Sequence, residues 1–444
     1  MTRLAWFSPF PPSTSGIAAY SAELVPLLRA RGLTLDVFAE DNARDFVWQQ
    51  RRTPYALTVF QLGNAACHDY MWAYLFRYPG MVVLHDAQIH QARASFLTKR
   101  WKPRRADYLA EFRASHPDAP ADVGELIVAG LGGVLYQHWP LNRLVVESAR
   151  LTVVHNERLA ADLLTQYPTA AVTAIHMGVA DPMAAATSVP TTSVPPTSVP
   201  PTSVPADAIV LAAFGGVTPE KRISQLLRAV SAVAARHPRL HVLLVGATAN
   251  HYDVMADARR NGVSDRVHVT GYVDDADLPG YLHAADICAC LRWPSNRETS
   301  ASWLRCLAAG RPTLITDLAD HADVPTLDPR GWAVLDSQAP SREPVAVSID
   351  ILDEEHSLQL ALDTLATDRA LRERLGRAAR RWFESHHQLG AMADAYQRCI
   401  AEAVAAAAPA VDPPAHLTSD GGDLVQTLTD RFGVESRLGD LFRR

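Results

Sequence analysis

The chain has 444 residues, with 42 Lys and Arg against 48 Asp and Glu and a formal charge of −6. This is too long for one compact domain and suits two domains of about 150 to 200 residues each. Hydrophobic residues make up 48% and charged residues 20%, so the composition indicates a globular protein, and the negative charge argues against a nucleic-acid partner.

The cysteines and the N-terminal segment indicate the cellular compartment of the protein. Five scattered cysteines favour a reducing environment, and the close pair Cys288 and Cys290 is typical of buried thiols on a short strand rather than a metal site. The segment MTRLAWFSPFPPS lacks the apolar core of a signal peptide, and no window reaches the roughly 18 apolar residues that span a bilayer. We therefore expect a cytoplasmic protein, with peripheral contact at the inner membrane left open.

Strand-like runs alternate with helix-like runs in two blocks. The first block contains LAWFSP, IAAYSAELVPLLRARG, LTLDVFA, TVFQLG, MVVLHD, LTVVHN and AVTAIHMG. The second contains AIVLAAFGG, SQLLRAVSAVAARHP, HVLLVGA, VHVTGYV, LPGYLHAADICACLR, SWLRCLAAG and PTLITD. Apolar strands separated by amphipathic helices predict parallel sheets covered on both faces, so we expect an α/β protein with two facing, doubly wound, Rossmann-like domains.

The domain boundaries follow from composition. Residues 187–205, TSVPTTSVPPTSVPPTSVP, predict an extended tether between a first domain at 1–186 and a second at 206–385. Helical spacing continues to 408, and we assign 386–408 to a C-terminal crossover helix. Residues 409–444 are a linker followed by a short amphipathic tail, which favours a surface or docking helix over a membrane anchor.

Ligands of doubly wound sheets bind at the carboxyl ends of the strands, so the loops there are the candidates for chemistry. Ser15 and Gly16 open a helix after a Pro-rich loop, where backbone amides could hold an anion or a sugar hydroxyl, although a plain cap by Ser13 or Ser15 explains them equally. His85 ends a strand, so its side chain either projects into the cleft to contact a ligand or is a structural histidine with its hydrogen bonds made inside the protein. His155, after another strand, is a weaker case of the same kind.

In the second domain, Gly215 and Gly216 would let a ligand approach the backbone. Lys221 and Arg222, at the start of the next helix, suit a diphosphate, or are a solvated pair.

Two acidic segments complete the candidates. Asp275 and Asp277 resemble a metal-binding Asp-x-Asp motif but precede an amphipathic helix, which favours capping. Glu298, Thr299 and Ser300 precede another helix, where capping is again the alternative to a ligand contact.

The order and spacing of these motifs resemble the retaining, nucleotide-sugar-dependent glycosyltransferases of the GT-B fold, particularly family 4 (glycosyl transferases group 1). The motifs span nearly the whole chain apart from the tether and the tail: the Pro-Pro-x-x-Ser-Gly opening, His85, Ile175–Gly178, Gly215–Arg222, Gly271-Tyr272 and Arg292–Pro312. The resemblance implies that the first domain holds the acceptor and that the second binds the nucleotide sugar.

The resemblance also implies residue roles. His85 and Glu298 would contact the donor sugar, and Lys221 would stabilise the departing diphosphate. The loop at Ser15-Gly16 and the helix start at Thr299-Ser300 would lie near the phosphates. Because basic residues neutralise the charge in this family, we expect no metal and no cofactor beyond the donor.

Two positions depart from the family pattern. In the family, an arginine usually follows the glycine matched by Gly215, whereas here that position is Gly216. Our hypothesis is that Arg222 supplies the positive charge of the missing arginine. The family's second glutamate, a ribose contact, falls on Arg305 or Cys306 depending on the alignment.

The prediction is therefore a retaining glycosyltransferase acting on a glycan, lipid-linked or small-molecule acceptor, in glycan, polysaccharide or glycolipid synthesis. The alternatives are a nucleotide-sugar epimerase of the same fold and a catalytically silent nucleotide-sugar-binding partner.

Overall fold

The computed structural model describes residues 2–99, 104–183, 204–335 and 342–419. The described residues cluster into two compact units: one contains those within 2–154, 160–173 and 398–419, and the other contains those within 155–159 and 174–397. Most of the predicted tether and the whole amphipathic tail from 424 lie outside the described residues.

The first unit is built on a six-stranded sheet in the order β2-β1-β3-β4-β5-β6. Every pairing from β2 through to β5 is parallel, and the strand residues are largely apolar and buried. The order reverses direction between β1 and β3, which makes that point the switch in topology. The strands are β1 Arg3–Phe7, β2 Thr34–Phe38, β3 Leu57–Leu62, β4 Met81–Leu84, β5 Leu151–Val154 and β6 Val172–Ala174.

Helices connect these strands, and the longest connection lies between β4 and β5, where five short helices follow one another. The helices are α1 Gly16–Ala30, α2 Asp45–Arg52, α3 Trp72–Leu75, α4 His90–Thr98, α5 Arg105–Ser115, α6 Val123–Val128, α7 Leu135–His138, α8 Arg143–Ser148 and α9 Glu157–Gln166.

A buried ion pair fixes the α4–α5 region. The guanidinium of Arg93 on α4 pairs with the carboxylate of Glu111 on α5, with Nε–Oε2 at 2.8 Å and Nη2–Oε1 at 2.5 Å, and the side chains are 3% and 0% exposed. His416, on a short C-terminal helix, bonds to the same carboxylate at 2.8 Å. Burial alone would raise the pKa of Glu111, but Arg93 and His416 together hold that pKa below its usual range.

The second unit is built on an eight-stranded sheet in the order β13-β12-β14-β11-β10-β7-β8-β9. The pairings are parallel except that of β12 with the edge strand β13. The strands are β7 Ile209–Phe214, β8 Leu240–Val245, β9 Val267–Val269, β10 Ile287–Cys290, β11 Thr313–Thr316, β12 Thr326–Asp328, β13 Ala333–Val334 and β14 Ala346–Ile349.

Amphipathic helices cover this sheet and bury Leu and Val side chains against it, as in α10, where Leu226, Leu227 and Val230 are fully buried. The helices in this part of the chain are α10 Ile223–Val233, α11 Val254–Arg260, α12 Leu278–Ala284, α13 Ala301–Ala308, α14 Glu354–Thr367, α15 Arg369–His386 and α16 Leu389–Ala405. The last described helix, α17 Ala415–Thr418, clusters with the first unit. Within α16, residues up to Gln397 cluster with the second unit and those from Arg398 with the first, so this helix carries the chain from one to the other.

Candidate functional site

The candidate site of the second unit lies where its strand order reverses. From β7 the chain moves outward through β8 and β9, and from β10 it moves the other way through β11 and β14. Loops that follow β7 and β10 therefore meet at the carboxyl edge of the sheet, which is the usual ligand position in such sheets. These loops contain residues 215–222 and 291–300, which include seven of the ten site residues predicted from the sequence.

Gly215 is required at its position on steric grounds. Its φ is +85°, and a Cβ atom there would lie 2.7 Å from Lys221 Nζ and 3.0 Å from Ser302 Oγ. A Cβ on Gly216 would meet only ordinary contacts, the nearest at 3.8 Å. Gly215 is therefore the glycine that brings the lysine and a hydroxyl of α13 against the backbone, and Gly216 has no comparable requirement.

Lys221 lies in a short 3₁₀ turn that precedes α10. Its Nζ donates to the carbonyl of Phe214 at the end of β7. The same turn is tied to the loop after β10, because Trp293 N donates to Glu220 O at 2.8 Å. Desolvation, followed by the nearby positive charge of Arg292, lowers the pKa of Lys221 to about 8. An anion bound beside Nζ would restore a counter-charge to this desolvated ammonium group.

Arg222 is held by a different partner from the one that the sequence suggested. It has a φ of +58° and directs its guanidinium at Glu354, with Nε 2.9 Å from Oε1 and 3.1 Å from Oε2. The carboxylate is 7% exposed and the arginine side chain 20% exposed. Its charge is thus already paired, and the assignment of Arg222 to a diphosphate stays a prediction.

Glu298 lies in an ordered loop. Its Oε1 is 2.7 Å from Nη1 of Arg292, and its Oε2 accepts from Asn296 N at 2.7 Å and from Ser295 Oγ at 3.2 Å. The neighbouring Arg297, with a φ of +63°, pairs with Asp320 at 2.6 Å. The bonds to Oε2 and the ion pair with Arg292 hold the carboxylate in place before a ligand binds, and Oε1 accepts no hydrogen bond from the described residues.

Helix α13 begins where the sequence predicts. Ser300 is the N-cap, and its Oγ accepts from Trp303 N at 3.3 Å. Thr299 directly precedes the cap. The first amides of α13 point away from the helix, and together with the dipole they form a site for an anion. Three residues after Ser302, Arg305 lies with Nη1 3.5 Å from Asp275 Oδ1.

The capping prediction for the Asp-x-Asp segment is wrong in its detail. Asp277 occupies the N-cap position of α12 but makes no side-chain cap bond, and Asp275 pairs with Arg305 instead. Within the described ranges, no three His, Cys, Asp or Glu side chains are arranged to hold a metal ion. The expectation of a metal-free reaction stays a prediction.

In the first unit, Ser15 and Gly16 follow β1. Ser15 is the N-cap of α1, and its Oγ accepts from Ala18 N at 3.1 Å, so the capping interpretation holds for this side chain. A Cβ on Gly16 would meet no atom within 4 Å. The helix start at Gly16 is therefore open to a ligand, although no contact assigns one.

The two candidate histidines are both buried. His85 is 8% exposed, packs edge-on against Tyr20 and donates from Nε2 to Gln61 Oε1 at 2.8 Å. His155 donates from Nδ1 to Ile175 O at 3.0 Å, and burial lowers its pKa to about 4. Both histidines directly follow a strand, His85 after β4 and His155 after β5, and the contact of His85 with a donor sugar stays a prediction.

Two further residues, to which the sequence analysis assigned no role, also belong to the site. Arg292 pairs with Glu298, and its charge lowers the pKa of Lys221; a Cβ on Gly215 would lie 3.0 Å from Ser302 Oγ. The sequence feature that could have identified both residues is their position on the loop and the helix that follow β10. Cys288 and Cys290 are free thiols on β10; Cys288 is buried as predicted, whereas Cys290, whose Sγ is 4.0 Å from that of Cys306, is only partly buried. Among the described helices, none has the length and apolar character needed to cross a bilayer.

Comparison with known proteins agrees with this geometry. Residues 208–340 match the family model described as Glycosyl transferases group 1, and this segment contains the site from Gly215 to Arg305. No curated protein sequence matches the chain.

Solved structures match along most of the chain. The fold is similar to that of sucrose-phosphate synthase from Thermosynechococcus elongatus, at 15% identity and a TM-score of 0.58, with 90% of this chain and 100% of that chain covered. It is also similar to WaaG, a glycosyltransferase involved in lipopolysaccharide biosynthesis, at 14% identity and a TM-score of 0.55, with 89% and 99% covered. HepE from Anabaena in complex with UDP-glucose matches at 13% identity and a TM-score of 0.52, with 90% and 100% covered.

The predicted fold class is thereby confirmed: this is an α/β protein with parallel sheets whose structure matches GT-B glycosyltransferases with two Rossmann-like domains. Its second unit contains the segment that matches the group 1 model.

Proposed function

We propose that this protein is a retaining, family 4 glycosyltransferase that moves a sugar from a nucleoside diphosphate sugar to an acceptor hydroxyl. One observation carries the proposal. Gly215, Lys221 and Ser302 converge at the start of α13, at the switch point of a sheet within the segment that matches the group 1 model. A tight glycine, an ammonium group, a hydroxyl and helix amides together suit a diphosphate.

Departure of the diphosphate is the step that these residues would assist. Negative charge grows on the leaving phosphate in the transition state, and fixed positive groups aimed at it lower the barrier. Lys221 Nζ supplies one charge. Arg292 would supply the second, since its charge reaches Lys221 and its own carboxylate partner, Glu298, lies in the same loop, whereas Arg222 is turned toward Glu354 on α14.

The donor sugar would lie against Glu298. Its carboxylate is positioned by Arg292 and by the amide of Asn296, so its oxygens can accept hydrogen bonds from sugar hydroxyls without a change of rotamer. The roles of His85, Ser15 and Gly16 on the acceptor-side unit, and of Thr299 and Ser300 at the phosphates, belong to the same proposal.

Retention would follow if the acceptor oxygen attacks the anomeric carbon on the face from which the diphosphate leaves. The new C–O bond forms as the old one breaks, and the departing phosphate takes the acceptor proton. The reaction then needs neither a metal nor a cofactor. We place it in the cytoplasm or at the inner membrane surface, in glycan, polysaccharide or glycolipid synthesis.

A donor screen tests the proposal. The full chain is incubated with UDP-, GDP- and dTDP-sugars and simple glycoside acceptors, beginning with UDP-glucose, and release of the nucleoside diphosphate is followed. We expect turnover with at least one donor, and NMR of the product should give the anomeric configuration of that donor.

Matched variants make the test specific. Lys221→Met should lower turnover about 100-fold or more, whereas Lys99→Met, at an exposed lysine of the other unit, should not. An isomerised nucleotide sugar formed without acceptor would instead identify an epimerase. Binding of nucleotide without any turnover would identify a silent binding partner.

A further inference from the structure

The loop that carries Glu298 is attached at two points to the chain that follows β10's neighbour, β11. At the start of the loop, Arg292 N donates to Oγ1 of Thr316, the last residue of β11, at 2.9 Å. Near its end, Arg297 directs its guanidinium at Asp320, with Nη2–Oδ1 at 2.6 Å, Nε–Oδ1 at 3.0 Å and Nε–Oδ2 at 3.2 Å. Because β10 and β11 are adjacent parallel strands, their two loops leave the same edge of the sheet side by side. The loop after β11 therefore supports the loop that carries the carboxylate.

The supported loop reverses direction at Arg297. The φ of this residue is +63°, a left-handed conformation that residues other than glycine rarely adopt. The reversal lets Glu298 Oε2 accept from Asn296 N at 2.7 Å and from Ser295 Oγ at 3.2 Å. The same hydroxyl accepts from Arg297 N at 2.9 Å. The orientation of the Glu298 carboxylate therefore depends on the left-handed backbone of the residue before it.

The ion pair with Asp320 offsets the cost of this backbone conformation. A left-handed conformation lowers the population of an ordinary residue by a factor of about 5 to 30. The Asp320 side chain is 10% exposed, and that of Arg297 is 25% exposed. Asp320 is itself fixed, because it lies in the 3₁₀ turn Ala319–His321, where His321 Nδ1 donates to the carbonyl of Thr316 at 3.2 Å. Without this pair, the backbone at Arg297 would relax and the carboxylate after it would move.

We propose that Asp320 is a positioning residue for sugar transfer. Through Arg297 it holds the turn that presents the Glu298 carboxylate to the donor sugar. This inference rests on the proposed function, because it names a support for the sugar side of the same donor site.

The groups assigned to the diphosphate have attachments of their own. Lys221 Nζ donates to the carbonyl of Phe214, and the backbone amide of Arg292 donates to Thr316. Loss of Asp320 would thus displace the carboxylate for the sugar and leave the diphosphate groups in place. The expected signature is a loss of turnover with unchanged affinity for the free nucleotide.

Steady-state kinetics and calorimetry of the full chain test this with UDP-glucose and UDP, or with the GDP or dTDP pair if the donor screen selects it. Asp320→Ala should lower kcat about 10-fold or more, the cost of an unsupported left-handed residue, and should leave the Kd for UDP unchanged. Asp323→Ala removes the same charge from an exposed position of the same loop and should keep the wild-type kcat. Urea denaturation verifies that each variant is folded.

Two substitutions at Arg297 isolate the contribution of the backbone. Arg297→Ala and Arg297→Gly remove the same ion pair, but glycine adopts a positive φ without a steric cost. Arg297→Gly should therefore keep a kcat at least about 5-fold above that of Arg297→Ala. Adding Asp320→Ala to Arg297→Gly should not lower kcat further. A role in overall stability alone would lower the kcat of both Arg297 variants alike.

Three results overturn the inference and leave the proposed function standing. They are a wild-type kcat in Asp320→Ala, an equal loss of kcat in Arg297→Ala and Arg297→Gly, and an affinity for UDP that falls as much as kcat does. If the wild type binds no nucleotide, or binds one without transferring its sugar, the proposed function fails and the inference fails with it.

Discussion

The lowered pKa of Lys221 makes nucleotide affinity depend on pH. With a pKa of about 8, the ammonium form is about nine-tenths populated at pH 7 and about one-tenth populated at pH 9. If only this form binds the diphosphate, affinity should fall about 10-fold between these values, or about 1.4 kcal/mol. The sign follows from the chemistry, because raising the pH removes the positive charge that the anion requires.

Calorimetry at pH 7, 8 and 9 measures this effect with whichever nucleoside diphosphate binds. Repeating the titration at pH 8 in buffers of different ionisation enthalpy measures the protons taken up on binding. Because the bound anion raises the pKa of Lys221, we expect an uptake of about half a proton for each nucleotide bound. Lys221→Arg keeps its charge throughout this range and should show a flatter profile. An identical profile in both proteins, or tighter binding toward pH 9, would refute the reasoning.

Four other substitutions separate the site from its support. Arg222→Met leaves the buried carboxylate of Glu354 unpaired and should lower the free energy of unfolding, measured by urea denaturation, by up to about 3 kcal/mol. Arg292→Met should mainly lower kcat/KM, by about 10-fold or more. Gly215→Ala should weaken nucleotide binding about 10-fold by calorimetry, because the new methyl group displaces the lysine and the backbone φ is unfavourable. Arg93→Met should cost about 3 to 5 kcal/mol of stability by the same denaturation assay without changing nucleotide affinity.

Three of these, Arg222→Met, Gly215→Ala and Arg93→Met, have a matched control in the chain. Arg228→Met breaks an exposed pair between the same two helices as Arg222, and Gly216→Ala adds a methyl group where there is room. Arg105→Met breaks an exposed pair in the same region as Arg93. All three should stay within about 0.5 kcal/mol of the wild type in stability. A control that changes as much as its partner would contradict the structural reason given for that partner.

Much of the fold could be predicted from sequence because its strands are short apolar runs with helices between them. The runs LAWFSP, TVFQLG, AIVLAAFGG and HVLLVGA all correspond to observed strands. The short strands β12 and β13, at one end of the second sheet, and the helices α4 to α8 were not anticipated. Their local patterns are weak, and the α4–α5 region depends on a buried contact between Arg93 and Glu111, which are 18 residues apart.

The candidate site was predictable where it depends on position after a strand, and less so where it depends on side-chain pairing. Lys221, Glu298 and Ser300 lie on the loops that the strand pattern singled out. Because Arg222 directly follows Lys221 in the sequence, it was the obvious second cation for a diphosphate. Its guanidinium is instead directed at Glu354, 132 residues away. Long-range pairing of this kind leaves no local signal.

The central claim is most directly tested by titrating the wild type and Lys221→Met with UDP, GDP and dTDP and assaying sugar transfer from the matching donors. The account predicts that at least one nucleotide binds the wild type, that its sugar is transferred with retained configuration, and that the variant loses both activities. If the wild type binds none of these nucleotides, or if Lys221→Met binds and transfers as well as the wild type, the assignment of this site to a nucleotide-sugar donor is contradicted.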